Sequence, residues 1–328
     1  MTEVKTQTLS LLDRLRYINK HVLGINLRNS AYIFRYNPVE MSPLVDDKIL
    51  TKKILAVKNI PTPKMIGTVT SYFAIEKLLS RIGDYREFVI KPSNGFGGEG
   101  VILIQDRQDN IFEDVDGQKI LLKDLENHVR DILSGVYSLS QQSDSALIEE
   151  RLYPHDALKA MTYKGIPDIR ILLLHGVPAM AMLRLSTEKS HGRANLHQGG
   201  IGVGINLATG VTEHALYGGD YITHHPDNGQ KLVGQQLPCW QEVLEISALC
   251  YEAIPLGYMG ADVVIDPQKG PMILELNLRP GLMIQMANRL GSRDILAYLD
   301  MQHPEKLGVL EKVALGVKTF QEFRQRTP

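Results

Sequence analysis

Cysteine is nearly absent: Cys239 and Cys250 are the only two in 328 residues, and they form neither a C-x-x-C pair nor any metal-site spacing. That excludes a disulfide scaffold and a structural zinc site, and it suits a reducing compartment, so a cytoplasmic location is expected. An excess of one charge is absent as well, since 36 basic residues meet 37 acidic ones. No field of one sign gathers polyanions, and nucleic acid is not expected as a main partner. Long apolar runs are missing too. The longest, ILLLHGVPAMAML (171–183), is interrupted by His175, Gly176 and Pro178 and flanked by Arg170 and Arg184, which reads as two strands and a turn and not as a membrane span. Residues 1–20 alternate charged with apolar side chains, so neither a signal peptide nor a membrane anchor is expected there.

What is present is an ordinary globular balance of 44% apolar and 22% charged residues, enough for one large domain or two to three small ones. Leu11, Leu12, Leu15, Ile18 and Val22 fall on one helical face, predicting a helix over 8–23. After two prolines, DDKILTKKILAVKN predicts a helix capped by Asp46 or Asp47 and ended by IPTPKMIG. Further helices are expected near SYFAIEKLLSRIG, over 120–139, over 239–254 and through most of 281–325. Strands are expected in EFVIKP and VILI, in ALIEERL, and in a series from residue 168 onward. Strand-rich stretches with hairpin spacing predict antiparallel α+β layers rather than repeated βαβ units, with two lobes meeting near residue 149.

Two constellations carry chemistry. In VIKPSNGFGGEGVILI, Lys91 precedes Gly95, Gly97, Gly98 and Gly100. Glycines let main-chain N–H groups crowd an anion, but a strand follows and no G-K-[ST] is present, so neither the dinucleotide fingerprint nor the P-loop is met. The pattern predicts a flexible flap over phosphates, although a ligand-free glycine turn would use the same residues. In GADVVIDPQKGPMILELN, a hairpin would bring Asp262 near Glu275 and Asn277, the last two sharing a face by strand alternation. Buried carboxylates call for a positive partner, and two carboxylates with an amide suit a hard divalent cation that keeps waters or phosphate oxygens. Arg170, Arg184, Arg193 and Arg279 flank the same strand ends and could hold anionic groups.

Taken in order, Lys48, Lys91, the glycine hairpin, IEERL, Asp262 and ELN resemble the ATP-grasp superfamily of carboxylate-amine ligases over roughly residues 46–290. The likeness is strongest to the branch of the ribosomal-protein glutamate ligase and α-L-glutamate ligase-like proteins. The resemblance implies an α+β fold of two lobes gripping ATP: a helical lead-in (1–45), an N-terminal lobe with the flap (46–148), a C-terminal lobe with the metal site (149–300) and a helical tail (301–328). It implies that Lys48 and Lys91 hold ATP phosphates under the loop of Gly95, Gly97 and Gly98. Glu149 would then meet the adenine amino group, the main chain of Glu150 and Leu152 the ring edge, and Asp156 the ribose.

Asp262, Glu275 and Asn277 match the family's Mg²⁺ set, in which Mn²⁺ can substitute, and Arg170, Arg193, Asn195 and Arg279 fall where the acyl phosphate and acceptor are handled. Leu278 and Arg279 stand where the ribosomal-protein enzyme has small residues, adding a cation that suits a more anionic substrate. The implied activity joins a small-molecule or peptide carboxylate to an amine. The alternatives are an ATP-grasp kinase and a non-catalytic nucleotide-binding module. About 45 residues precede Lys48, fewer than the family's usual substrate domain, and a neighbouring subunit in a homo-oligomer could complete that part.

Overall fold

The computed structural model describes residues 17–95, 97–138 and 142–326. Of the helix expected over 8–23, residues 8–16 lie outside the described residues, and 17–21 are helical. Two antiparallel sheets organise the rest. The first, in the order β1-β6-β2-β3-β4-β5, comprises Met65–Val69 (β1), Phe88–Pro92 (β2), Ile102–Gln108 (β3), Ile111–Asp114 (β4), Lys119–Leu121 (β5) and Ala146–Glu150 (β6). The second runs β11-β10-β9-β8-β7-β12-β13, with Asp168–Leu174 (β7), Val177–Leu185 (β8), Ile201–Ile205 (β9), Thr212–Tyr217 (β10), Asp220–Ile222 (β11), Tyr258–Asp266 (β12) and Gly270–Asn277 (β13). Each recorded strand pairing is antiparallel.

Each sheet has its own core. In the first, the helix Leu122–Leu133 lays Leu125, Val129, Ile132 and Leu133 against Ile75, Phe88, Ile90 and Phe112, the i, i+3/i+4 stripe of an amphipathic helix. In the second, strands β7 and β8 are buried almost throughout, which is why 171–183 reads as one apolar run. Trp240–Ala253 and Val309–Gln325 supply much of the cover.

The expected helix after the two prolines is Lys48–Val57. Asp47 caps it, accepting from the N–H groups of Ile49 (2.9 Å) and Leu50 (3.1 Å). This helix packs on β13 and on Trp240–Ala253, and its Leu55 joins the core of the second sheet. The chain crosses from the first sheet to the second after Glu150, because 146–150 pairs with both β1 and β2. The helical stretch expected after residue 281 is divided into Met283–Asn288 and Arg293–Met301, separated at Arg289, whose φ is 49°.

Helix and sheet meet closely where the last helix crosses β8. A Cβ at Gly316 would lie 2.1 Å from the Pro178 carbonyl oxygen and 3.2 Å from Val177 Cγ1. Main chain cannot swing aside as a side-chain tip can. Gly316→Ala is therefore expected to cost about 1–3 kcal/mol of stability despite alanine's better helix propensity, read as a lower urea midpoint.

Candidate functional site

The floor of the cleft is a row of side chains across the second sheet. Asp262 on β12 stands opposite Arg170 on β7 and opposite Glu275 on β13. The last pairing depends on an irregularity in β13: Val263 faces Ile273 while Asp262 faces Glu275, leaving Leu274 without a partner. Such a bulge shifts the strand's alternation by one residue and brings the second carboxylate beside the first. Gly260 leaves the space that the Arg170 stem uses, since a Cβ there would come 3.3 Å from Arg170 Cδ.

Asp262 is fully buried and held by two guanidiniums. Arg170 donates to both its oxygens (Nε–Oδ1 2.5 Å, Nη2–Oδ2 2.7 Å), and Arg184 Nη2 donates to Oδ2 (2.6 Å) while its Nε donates to Asp168 Oδ1 (2.5 Å). Burial would raise the Asp262 carboxyl, but Arg170 and Arg184 outweigh it and hold it well below the usual carboxylate range. Asp168 goes the other way: burial and the Asp262 charge push it up to about 7 against the pull of Arg184.

Asn277 points its amide between the acids, Nδ2 donating to Asp262 Oδ2 (3.0 Å) and lying 3.4 Å from Glu275 Oε1. Glu275 makes no ion pair within 4 Å among the described residues. The amide N–H₂ thus fills the place between two carboxylates that a cation would take, and a half-turn of the amide would offer its oxygen instead. Among the described residues no group of three His, Cys, Asp or Glu side chains could hold a metal ion. Two carboxylates and an amide fit a hard cation that draws its remaining ligands from water and phosphate.

Above this floor lie three lysines. Lys48, Lys52 and Glu275 line one small pocket. Lys52 is one helical turn after Lys48, hence on the same face. Buried Glu149 on β6 pairs with Lys91 on β2, its neighbour in the sheet, and lies 2.9 Å from Lys52 Nζ. Lys52 also donates to the Pro63 carbonyl (2.9 Å), using one of the three hydrogens of its ammonium. Burial would raise the Glu149 carboxyl, but Lys91 and Lys52 win and lower it. Burial pulls Lys52 down to about 8 against the attraction of Glu149. It lowers Lys48 too, helped by Lys91 and opposed by Glu275, Asp144 and Glu149.

The glycine loop closes the arrangement. Gly97, Gly98 and Gly100 have φ of 64°, 79° and 71°, a region that other residues enter at a cost. A Cβ at Gly97 would sit 3.6 Å from Asn195 Nδ2 and one at Gly98 3.8 Å from Arg193 Cδ. The loop between β2 and β3 therefore lies against residues 193–198 of the second sheet's side. Gln198 there keeps its buried Oε1 without a hydrogen-bond partner among the described residues. Lys48 Nζ donates to the carbonyl of Gly95 (2.8 Å) and reaches that of Ser93 (3.3 Å).

The remaining predicted residues are more spread out. The Glu150 side chain is engaged within the protein: its Oε1 accepts from Lys64 N (2.8 Å) and its Oε2 pairs with Lys269 (2.5 Å). Leu152 is buried against Val264 and Met272, and Asp156 is exposed at the start of a single helical turn. Arg193 and Arg279 are exposed, and Arg279 is near enough to Asp46 to oppose the rise that burial imposes on that carboxyl. Lys52 and Asp168 are not among the residues the sequence singles out, and Arg184, named there as a candidate for holding anionic groups, is committed to Asp262 and Asp168. The repeat of lysine at i+4 and the alternation of Asp168, Arg170 and Arg184 on a predicted hairpin were the signals that could have found the first two.

Such a cleft can hold a polyanion against ammonium groups with a cation beneath it. Comparison with known proteins gives this geometry a family. Tetrahydromethanopterin:α-L-glutamate ligase of Methanocaldococcus jannaschii is 29% identical over 93 residues, which is 28% of this chain and 27% of that protein. The chain thus spans about a quarter of that relative. Among solved structures, the ATP-grasp ligase PsnB complexed with a minimal precursor aligns with 83% of this chain and 64% of its own, at 14% identity and a TM-score of 0.43. The RimK domain protein ATP-grasp from Sphaerobacter thermophilus aligns with 83% of this chain and 72% of its own, at 17% identity and a TM-score of 0.42. Residues 27–300 match the family described as sugar-transfer associated ATP-grasp, and with most of its length inside that match, the two-sheet α+β chain belongs to the ATP-grasp family.

Proposed function

We propose that the chain is an ATP-dependent ligase that transfers the γ-phosphoryl group of ATP to a carboxylate and lets an amine displace the phosphate, leaving an amide, ADP and phosphate. The observation that supports this reading is the place of Lys48, which shares a small pocket with Glu275, feels the charges of both Glu275 and Lys91, and donates to the base of the glycine loop, while Glu275 stands beside Asp262 and Asn277. Phosphoryl transfer asks for positioning and charge neutralisation more than for covalent chemistry. Lys48 and Lys91 neutralise phosphate oxygens, and Glu149 is the buried carboxylate that pairs with Lys91. Glu275, Asn277 and Asp262 would hold Mg²⁺, or Mn²⁺ in its place, which supplies Lewis-acid compensation of the phosphate charge. Arg170 anchors Asp262, while Arg193, Asn195 and Arg279 lie near the loop and the strand end, where an acid and its acyl phosphate would be handled. Glu150 and Leu152 main-chain groups and Asp156 would border adenine and ribose. Closing the loop over 193–198 excludes water, which an acyl phosphate requires.

Glutamate is the first amino acid to test, because the relative of 29% identity is a glutamate ligase. The reading takes both substrates as small molecules or peptides, with a cytoplasmic setting, the two free cysteines and no described helix long and apolar enough to cross a membrane being consistent with it. The test is incubation of the protein with Mg·ATP and pooled acids, amino acids and peptides. ADP and phosphate should appear only when an acid and an amine are both present, alongside a condensation product seen by mass spectrometry. A stable phosphorylated product would make it a kinase, and ATP binding without ADP from any pool would make it a binding module.

A further inference from the structure

We propose that Asp144 is a positioning residue that fixes the base of the glycine loop and, through it, the Lys48 ammonium. This rests on the reading of the loop as a lid over nucleotide. Asp144 is 6% exposed and makes no ion pair among the described residues. Its oxygens instead collect neutral donors from the start of the loop and from the chain that leads into β6. Asn94 gives its main-chain N–H (3.0 and 3.1 Å) and Nδ2 (2.8 Å), Ser138 its hydroxyl (2.6 Å) and Ser145 its N–H (2.6 Å). A neutral asparagine at 144 offers one acceptor oxygen where the carboxylate offers two, so the number of donors explains why the residue is an acid.

The segment 93–95 is held from the opposite side as well. Ser93 donates its hydroxyl to Asp47 Oδ1 (2.5 Å), and the carbonyls of Ser93 and Gly95 take the Lys48 ammonium. Gly95 also bridges to Ser138. The base of the loop is therefore strung between Asp144 and the Asp47–Lys48 helix start, and the positive-φ residues Gly97, Gly98 and Gly100 follow it. Asp144 also acts on the Lys48 ammonium directly through its charge.

The test compares the full chain with Asp144→Asn. The ATP dissociation constant by calorimetry, or KM once a substrate pair is known, is expected to rise about tenfold, with kcat at saturating ATP changed less than about threefold. Amide exchange at Asn94 and Gly95 should accelerate while Val89 and Ile90 in β2 keep their protection. Unchanged ATP affinity in a folded variant overturns the proposal, and so does a uniform loss of protection across β2 and β6, which is what a purely structural role gives. If Asp144→Asn does not fold, Asn94→Ala removes one donor and should raise the constant about threefold; no change overturns the proposal equally. Absence of ATP binding by the unmodified chain sinks the ligase reading, and the exchange measurement still decides whether Asp144 anchors the loop.

Discussion

Glu149→Ala is expected to cost the fold about 3–5 kcal/mol, the penalty for removing one partner from a buried charge cluster. Glu149 is 3% exposed and stands between Lys52 and Lys91, which are 5% and 7% exposed. No other carboxylate pairs with either lysine among the described residues. Alanine thus leaves two ammonium groups facing each other in an enclosed space. The urea midpoint should fall with the slope unchanged, and a loss under about 1 kcal/mol would show that water reaches the lysines and that the cluster is open. The pH dependence has a definite sign. The folded-state pKa of Lys52 is about 8, below its ordinary 10.5, so stability is greatest above the unfolded value and falls as pH drops toward 8. Without Glu149 the folded value sinks further, and the variant should regain stability as pH rises from about 7 to 10. Adding Lys52→Met should recover part of the loss at neutral pH, because one of the two stranded charges is gone.

The same cluster shows what a sequence discloses and what it withholds. Lys91 and Glu149 were legible as separate residues because VIKP and LIEERL both read as strands. Their contact was not legible, since β2 and β6 are joined through more than fifty residues of chain and pair only in the finished sheet. The β12–β13 hairpin was readable from its alternation and its short turn, yet alternation alone cannot reveal a bulge. Leu274 supplies the extra residue that aligns Glu275 with Asp262, and leucine in an apolar strand gives no sign of it. β1 and β4, β5, β10 and β11 were missed because three to six residues with little alternation carry too little signal. Where periodicity ran long, as in Leu122–Leu133 and Trp240–Ala253, helices lie within the expected stretches. Burial of Asp262 under two arginines is a tertiary fact; only the sheet order β8-β7-β12-β13 lets Arg184, two strands away, reach it.

That difference between the two carboxylates leads to the second large effect. Glu275→Gln should lower Mg·ATP turnover about 10²–10³-fold while leaving the fold nearly intact. Glu275 is half-buried, makes no ion pair among the described residues, and lies beside Asp262 with Asn277 Nδ2 3.4 Å from its Oε1. Glutamine keeps its shape and loses only the charge that a cation would use. Asp262→Asn is expected to behave differently, because it strips a fully buried anion from Arg170 and Arg184 and should cost several kcal/mol before any question of turnover arises. Measured side by side, turnover and urea midpoint should therefore separate: Glu275→Gln low in activity and near normal in stability, Asp262→Asn low in both. Excess Mn²⁺ should restore part of the Glu275→Gln activity if the loss is one of cation affinity, since mass action offsets a weaker site. Full turnover in Glu275→Gln at low Mg²⁺ would remove Glu275 from the cation set, and with it the link between the paired strands and the chemistry proposed above them.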